Sequence, residues 1–412
     1  MKILFFTHYF PPEGNAPASR TYENCKRWVR EGHDVTVITC APNVPDGVVY
    51  PGYCNKLFQK EIIDGIQVVR VWTFIAANKG TLLRILNFVS YMYSATFFSL
   101  FLKRPDIIIS TSPQFFCGWA GILAGWLRFV PSILEIRDLW PETIVAIGAM
   151  KNNRIIGFLE LLEKWMYRST RHIVTVGEGY REKLLEKGVP SEKITVIPNG
   201  ADFDFFKPRD DQDELKTAHQ LQGKFVCSYI GTLGLCSGLE MLPRAAKLLK
   251  DKNRHDIILM IVGDGAIRED LESLQKQGGL DNLIITGRRK KEEIPEYIAL
   301  ADVCLAHLQK KDLFKTVLPS KIFEATAMKR PIIMGVEGHA ARLIQDAGAG
   351  ICIEPENETE FIQALETLSN NPEQMKDFGE SGYQYMQKNY NRELLAQKYL
   401  QVLGQFIKRK SV

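Results

Sequence analysis

Three observations predict an α/β protein of two doubly wound, Rossmann-like domains in tandem. Apolar runs of strand length alternate with helical stretches over most of the chain. At 412 residues the chain is too long for one ordinary core. The alternation breaks once, at "VIPNGADFDFFKPRD", where Pro198-Asn199-Gly200 is turn chemistry followed by a charged loop. That break is the expected hinge. One domain is expected over 1–200 and the second over 201–389, with a C-terminal helix of about 390–412 returning to the first.

In order, the first strand is "KILFFT", 2–7, which runs into the loop "HYFPPEGNAPASR" and then a helix ending at Gly32. This loop holds one glycine where a dinucleotide fingerprint needs three, so the first domain is not expected to carry the nucleotide. Strands follow at 35–39, 66–71, 106–110, 132–136, 172–176 and 194–197. The second series is 225–230, 256–262, 283–286, 303–307, 331–335 and 350–353, and the tail over 372–408 reads as helical. Between 65 and 105 there is no Asp or Glu, while Arg70, Lys79, Arg84, Lys103 and Arg104 are present. Within it, 85–102 runs 18 residues without a charge, the lower bound for a membrane span. Asn87, Ser90 and Ser94 lay a polar stripe on that helix, which argues against lipid on all sides. Two readings remain: a half-buried helix, or an interfacial patch near 79–104 with aromatics in the head groups and basic flanks on anionic lipid.

Composition narrows the function. A net charge of +4 does not indicate a nucleic-acid binder. Eight cysteines are scattered without a C-x-x-C pair, which favours thiols in a reducing compartment over disulfides or zinc. The N-terminus lacks a signal-peptide layout, so a cytoplasmic location is expected. Fingerprints of nicotinamide, P-loop, metalloprotease and serine-hydrolase chemistry are missing.

The positive signals cluster at strand ends. "SYIGTLGLCSGLEML" places Gly231, Thr232, Gly234 and Gly238 after a strand, where backbone amides can approach a diphosphate. "IVGDGA", with Gly263 and Asp264, and "ITGRRKKEEI", with Arg288, end the next two strands. Three such turns at consecutive strand ends should form one wall of one pocket. In "TVLPSKIFEATAMKRPII", Leu318, Pro319 and Ser320 open a helix, Lys321 supplies a cation and Glu324 shares its face. The alternative is a capped helix with an intrahelical Lys–Glu pair. In "SILEIRDLWPET", Glu135, Arg137 and Asp138 crowd a strand end, as site residues or as a surface ion pair. His8 could face the same side or serve structurally. Asp202-Phe203-Asp204 has the D-x-D pattern of metal-bound sugar nucleotides, but lies in the hinge among phenylalanines and is rejected as a metal site.

Together, "HYFPPEGNAPASR", "VIPNG", "YIGTLG", "GLEML", "VGDG" and "LPSKIFEATAMKRPII" resemble the family 4 glycosyltransferases, retaining enzymes of the two-domain GT-B fold. "FPPE", "RDLWPE" and "LPSKIFE" look most like the bacterial branch that builds O-antigen, capsule, lipopolysaccharide or exopolysaccharide, and resemble its N-acetylfucosamine transferases. The resemblance implies a UDP-sugar donor, an N-acetylated or deoxy hexosamine as the moved sugar, and a lipid-linked (polyprenyl diphosphate) saccharide acceptor at the inner membrane face. It also implies no cofactor and no metal. It puts the base near Arg288, the ribose at Glu324 and the phosphates at the glycine loop. Gly14 and Asn15 would approach the donor sugar across a cleft, with His8 and Glu135 on the acceptor side and Asp138 and Arg137 in catalytic positions. Two departures stand out. Relatives carry Glu-x7-Glu, but Thr316 stands eight residues before Glu324; they also place Arg and Lys where Thr232 and Ser237 stand. The diphosphate would then rely on amides and on Arg288, Lys321, Lys315 or Arg137. A sugar-nucleotide epimerase or hydrolase and a two-lobed binding protein are the other readings.

Overall fold

The computed structural model describes residues 1–44, 47–75, 81–112, 114–142, 153–209 and 213–407. It comprises two compact units, Met1–Pro198 with Glu393–Val412, and Asn199–Arg392.

The first unit is built on β1 (Lys2–Phe6), β2 (Asp34–Cys40), β3 (Phe58–Ile63), β4 (Ile66–Val71), β5 (Ile107–Ser112), β6 (Ser132–Ile136), β7 (His172–Thr175) and β8 (Ile194–Val196). Their order is β3-β4-β2-β1-β5-β6-β7-β8, parallel except for β3 on β4. The central strands are buried on both faces because helices cover both. β3 was not expected. It pairs with β4 through Asp64-Gly65, whose φ values of +48° and +79° suit a two-residue primed turn.

Helix Thr81–Ser99 has two different faces. Tyr91 is buried, with its hydroxyl 3.0 Å from the Thr7 carbonyl and 2.9 Å from that of Ile38. The polar stripe is used locally: Asn87 donates to the Phe74 carbonyl and Ser90 accepts from the Phe74 amide, both at 2.8 Å. The opposite face leaves Tyr93 and Phe97 exposed. Lys79 and the side chain of Arg84 lie outside the described residues. Among those described, no helix is long and apolar enough to cross a membrane.

The tail forms two helices, Pro372–Tyr390 and Arg392–Gly404, separated by the extended Asn391. The last one seals the first unit. Tyr399 meets Trp28 edge-on at 5.3 Å, and the Trp28 indole donates to the Ala396 carbonyl at 3.1 Å.

The second unit holds β9 (Phe225–Ile230), β10 (Ile257–Val262), β11 (Leu283–Gly287), β12 (Val303–His307), β13 (Ile332–Gly335) and β14 (Gly350–Cys352). The order β11-β10-β9-β12-β13-β14 is parallel throughout. Winding reverses between β9 and β12, and ligands of such sheets bind outside the strand ends at that switch point.

Candidate active site

The three glycine turns of the second unit meet at the switch point. The Gly231 amide donates to the Val262 carbonyl at 2.9 Å, Gly263 to Gly287 at 3.0 Å and Leu233 to Asp264 at 3.0 Å. Glycine is required at the middle turn: at Gly263, with φ of +150°, a Cβ would stand 1.9 Å from the Gly231 carbonyl oxygen. Beyond Gly231, the amides of Thr232, Gly234, Leu235 and Cys236 donate to no acceptor among the described residues. A row of free N–H groups on a loop is an anion-binding arrangement.

His307, at the end of β12, holds this loop from behind. It is 1% exposed; its Nδ1 lies 2.7 Å from the Ser237 carbonyl and its Nε2 accepts from the Glu356 amide at 2.9 Å. Burial lowers its pKa, so the ring is neutral, with the proton on Nδ1. Sequence reasoning missed His307, because a lone histidine closing an apolar strand carries no spacing signal.

Lys321 begins the Lys321–Ala327 helix and lies beneath the loop. Its Nζ sits 3.2 Å from the centre of the Tyr229 ring, and a Cβ on Gly231 would be 3.2 Å from it. The Tyr229 hydroxyl in turn donates to the Thr232 carbonyl at 3.0 Å. Among the described residues Lys321 has neither hydrogen-bond acceptor nor ion pair, and burial lowers its pKa to about 7. Burial raises the pKa of Glu324, a shift opposed by Arg392, Lys321 and Lys291. The capped-helix alternative therefore fails on both counts: Ser320 makes no side-chain cap, and Lys321 stacks on Tyr229 instead of pairing with Glu324.

The remaining residues of this wall divide by partner. Arg288 is exposed and unpaired, whereas Lys315 is engaged by Asp312 at 2.7 Å and Glu337 at 3.8 Å. Leu318 and Pro319 are half-buried in the turn leading to the helix. Asp264 lies 3.5 Å from Arg268. Thr316, in the place of the family's first glutamate, spends its hydroxyl on the Leu313 carbonyl at 3.2 Å. In the hinge, Asp202 accepts from the amides of Asp204 and Phe205, a local turn.

In the first unit Glu135 and His8 are corrected, being buried, and Asn15, Arg137 and Asp138 have partners of their own. Asn15 caps helix Ala16–Arg30, its Oδ1 accepting from the Ala18 amide at 2.9 Å, so that oxygen is committed to the helix. Glu135 is 0% exposed and lies 3.3 Å from Arg20, which also donates to the carbonyls of Ile197 and Pro198 at 2.8 Å. It cannot meet an acceptor. Arg137 donates to the Ala16 and Pro17 carbonyls at 3.0 and 2.9 Å, and burial brings its pKa down to about 10. That guanidinium positions the loop's entry into the helix. Asp138 is half-exposed, with Oδ1 accepting from the Leu139 amide. Gly14 is exposed with open space around it. His8 is buried among the rings of Tyr9, Phe88 and Tyr91, and burial lowers its pKa to about 4, so it is a neutral packing residue.

Two buried groups lock the proline loop. Glu13 accepts from the Asn43 and Val44 amides at 2.9 and 3.1 Å. Arg70 donates to the Pro11 carbonyl at 2.6 Å and that of Cys40 at 2.9 Å, and pairs with Glu61.

Two doubly wound sheets, the second with an anion-ready loop at its switch point, define a GT-B glycosyltransferase. The description "Glycosyl transferase 4-like domain" matches residues 15–200 and "Glycosyl transferases group 1" matches 211–385. The chain belongs to the family 4 glycosyltransferases. Among its relatives is an Escherichia coli K12 protein named for colanic acid biosynthesis glycosyl transfer, WcaI, 27% identical over 89% of this chain and 91% of the relative. O-antigen chain mannosyltransferase C of Escherichia coli is 23% identical over 64% and 68%. The fold is shared with Anabaena HepE, solved with UDP and glucose: TM-score 0.73, 16% identity, 98% of this chain and 99% of that one.

Proposed function

We propose that the chain moves a sugar, an N-acetylated or deoxy hexosamine, from a UDP-sugar to a lipid-linked saccharide during assembly of a bacterial surface polysaccharide. The single observation that carries the donor assignment is the unpaired Lys321 ammonium beneath a loop of free amides. Colanic acid and O-antigen relatives support the pathway class, and the UDP in HepE supports the nucleotide.

On this reading the Thr232–Cys236 amides and Lys321 neutralise the diphosphate. Negative charge grows on the β-phosphate as the glycosidic bond breaks, and donors already aimed there stabilise the transition state. Glu324 takes the ribose hydroxyls, and Arg288 flanks the base. Transfer proceeds with retention, the departing phosphate accepting the acceptor's proton, so no enzyme nucleophile takes part. Asp138 orients the acceptor.

A thermal-shift series tests the donor: UDP and its sugars should raise the melting temperature of this chain, whereas GDP should not. Stabilisation by neither nucleotide would remove the reading. Turnover of the UDP-sugar should require a lipid-linked acceptor, and Asp138→Asn should lower it. Hydrolysis at the same rate without acceptor would favour the hydrolase alternative.

A further inference from the structure

We propose that His307 is a positioning residue for the donor diphosphate: only its neutral ring, with the proton on Nδ1, holds the glycine loop in shape, and protonation releases the loop. The proposal rests on the donor reading given above. A line of hydrogen bonds crosses the ring. The Glu356 amide donates to Nε2 at 2.9 Å, and Nδ1 stands 2.7 Å from the Ser237 carbonyl. Ser237 in turn sets the loop, since its hydroxyl and its amide both donate to the Gly234 carbonyl, at 2.6 and 3.0 Å. That carbonyl shares a trans peptide plane with the Leu235 N–H, so holding the oxygen turns the amide the opposite way. The Cys236 carbonyl is held from the same side, by the Gln309 amide at 2.9 Å. The ring itself is wedged. A Cβ on Gly335 would stand 2.3 Å from its Cδ2, and one on Gly238 2.9 Å from its Cε1.

This arrangement accepts one protonation state. Nε2 must accept and Nδ1 must donate, whereas an imidazolium donates from both nitrogens. Its Nε2–H would face the Glu356 N–H, donor against donor. Glu356 has little freedom to yield: its φ is +63°, and its carboxylate accepts from the Lys310 amide at 2.8 Å. Among the charges around the ring, Glu356 and Glu240 favour protonation and Lys321 opposes it, while burial, the largest influence, keeps the ring neutral. Glu337, beyond Gly335, and Glu354, beside Glu356, are turned to Lys315 and Lys310. Donor binding needs the neutral ring, so affinity should fall as pH drops below the usual histidine value. Lys321, which must be charged, sets a limb of opposite sign on the alkaline side.

The test titrates the full chain with UDP-N-acetylglucosamine by calorimetry at stepped pH. The diphosphate of this probe is esterified at both ends and keeps its charge throughout. His307→Asn retains a donor at the Nδ1 end and does not titrate, whereas His307→Gln places its amide at the Nε2 end and loses the bond to Ser237. His307→Gln should weaken binding about five- to tenfold at neutral pH, the scale of one hydrogen bond. His307→Asn should recover most of that loss and lack the acid limb. Equal losses in the two variants would overturn the proposal, as would an acid limb surviving in His307→Asn, which would pass it to Glu324. A parent whose affinity holds down to about pH 5 would overturn it too. A readout without donor separates the proposal from the donor reading. Alkylation of the half-buried Cys236 thiol, located by mass spectrometry, should be faster in His307→Gln than in the parent and near the parent rate in His307→Asn. If that difference appears while no UDP-sugar binds the parent, the donor reading falls and the hold of His307 on the loop stands. Equal labelling in all three removes that hold.

Discussion

At the residue scale, an ammonium shielded from water without an ion pair is costly unless something else favours it, and for Lys321 the Tyr229 ring and the charge of Glu324 do so only in part. Its pKa falls from 10.5 to about 7, so between those values the unfolded chain holds a proton that the folded chain has released. The contribution of Lys321 to stability is therefore most unfavourable below pH 7 and improves as pH rises through that window. Ligand binding should run the other way. A diphosphate needs the charged form, so UDP affinity should fall as pH rises past 7, and calorimetric titrations on either side of it will show the slope. Lys321→Ala should weaken UDP binding about 10- to 100-fold, the scale of a charge-assisted hydrogen bond, and flatten that slope. Glu135 belongs to another category. Glu135→Ala leaves Arg20 buried without its partner, and chemical denaturation should report a loss of about 3–5 kcal/mol.

At the element scale, the donor wall is a set of backbone turns that exclude one another's side chains. Gly263→Ala places a Cβ 1.9 Å from a neighbouring carbonyl oxygen in a backbone conformation that L-residues avoid. It should destabilise the chain by more than about 2 kcal/mol and abolish UDP stabilisation in a melting experiment. Gly14→Ala is the contrast, since nothing lies within 4 Å of the added carbon. Its melting temperature should match the parent, so any loss of turnover would report a contact with substrate. These turns were legible because glycine after an apolar run has few other uses. The Asp64-Gly65 hairpin was equally legible as turn chemistry, yet β3 was missed: "FQKEII" is half polar, as suits an edge strand with one exposed side. The structural partners of Asn15, Arg137 and Glu135 were not foreseen for a related reason. Their residue types suit both a site and a cap or buried pair, and the choice depends on atoms supplied by other elements.

At the scale of the whole molecule, the chain leaves its first unit after Pro198 and returns to it from Glu393. The returning helix contributes Leu395, Tyr399, Leu400 and Leu403 to the core that holds Phe5 and Trp28. Truncation after Arg392 should thus lower the unfolding midpoint of the first unit, while the transition shifted by UDP remains. Two-domain scanning calorimetry with and without UDP would check this; loss of the UDP shift would tie the donor site to the returning helix. The alternation of strands and helices, the doubly wound class and the glycine-bearing turns follow from patterns that the sequence determines by itself, because alternation and turn chemistry are local. What only the tertiary structure decided is which charges are free. Among the described residues Lys321 and Arg288 are unpaired, Lys315 is engaged, Glu135 is buried in the scaffold and Arg137 holds the carbonyls of Ala16 and Pro17. Pairing depends on distances between residues far apart in the chain, and no local pattern encodes those.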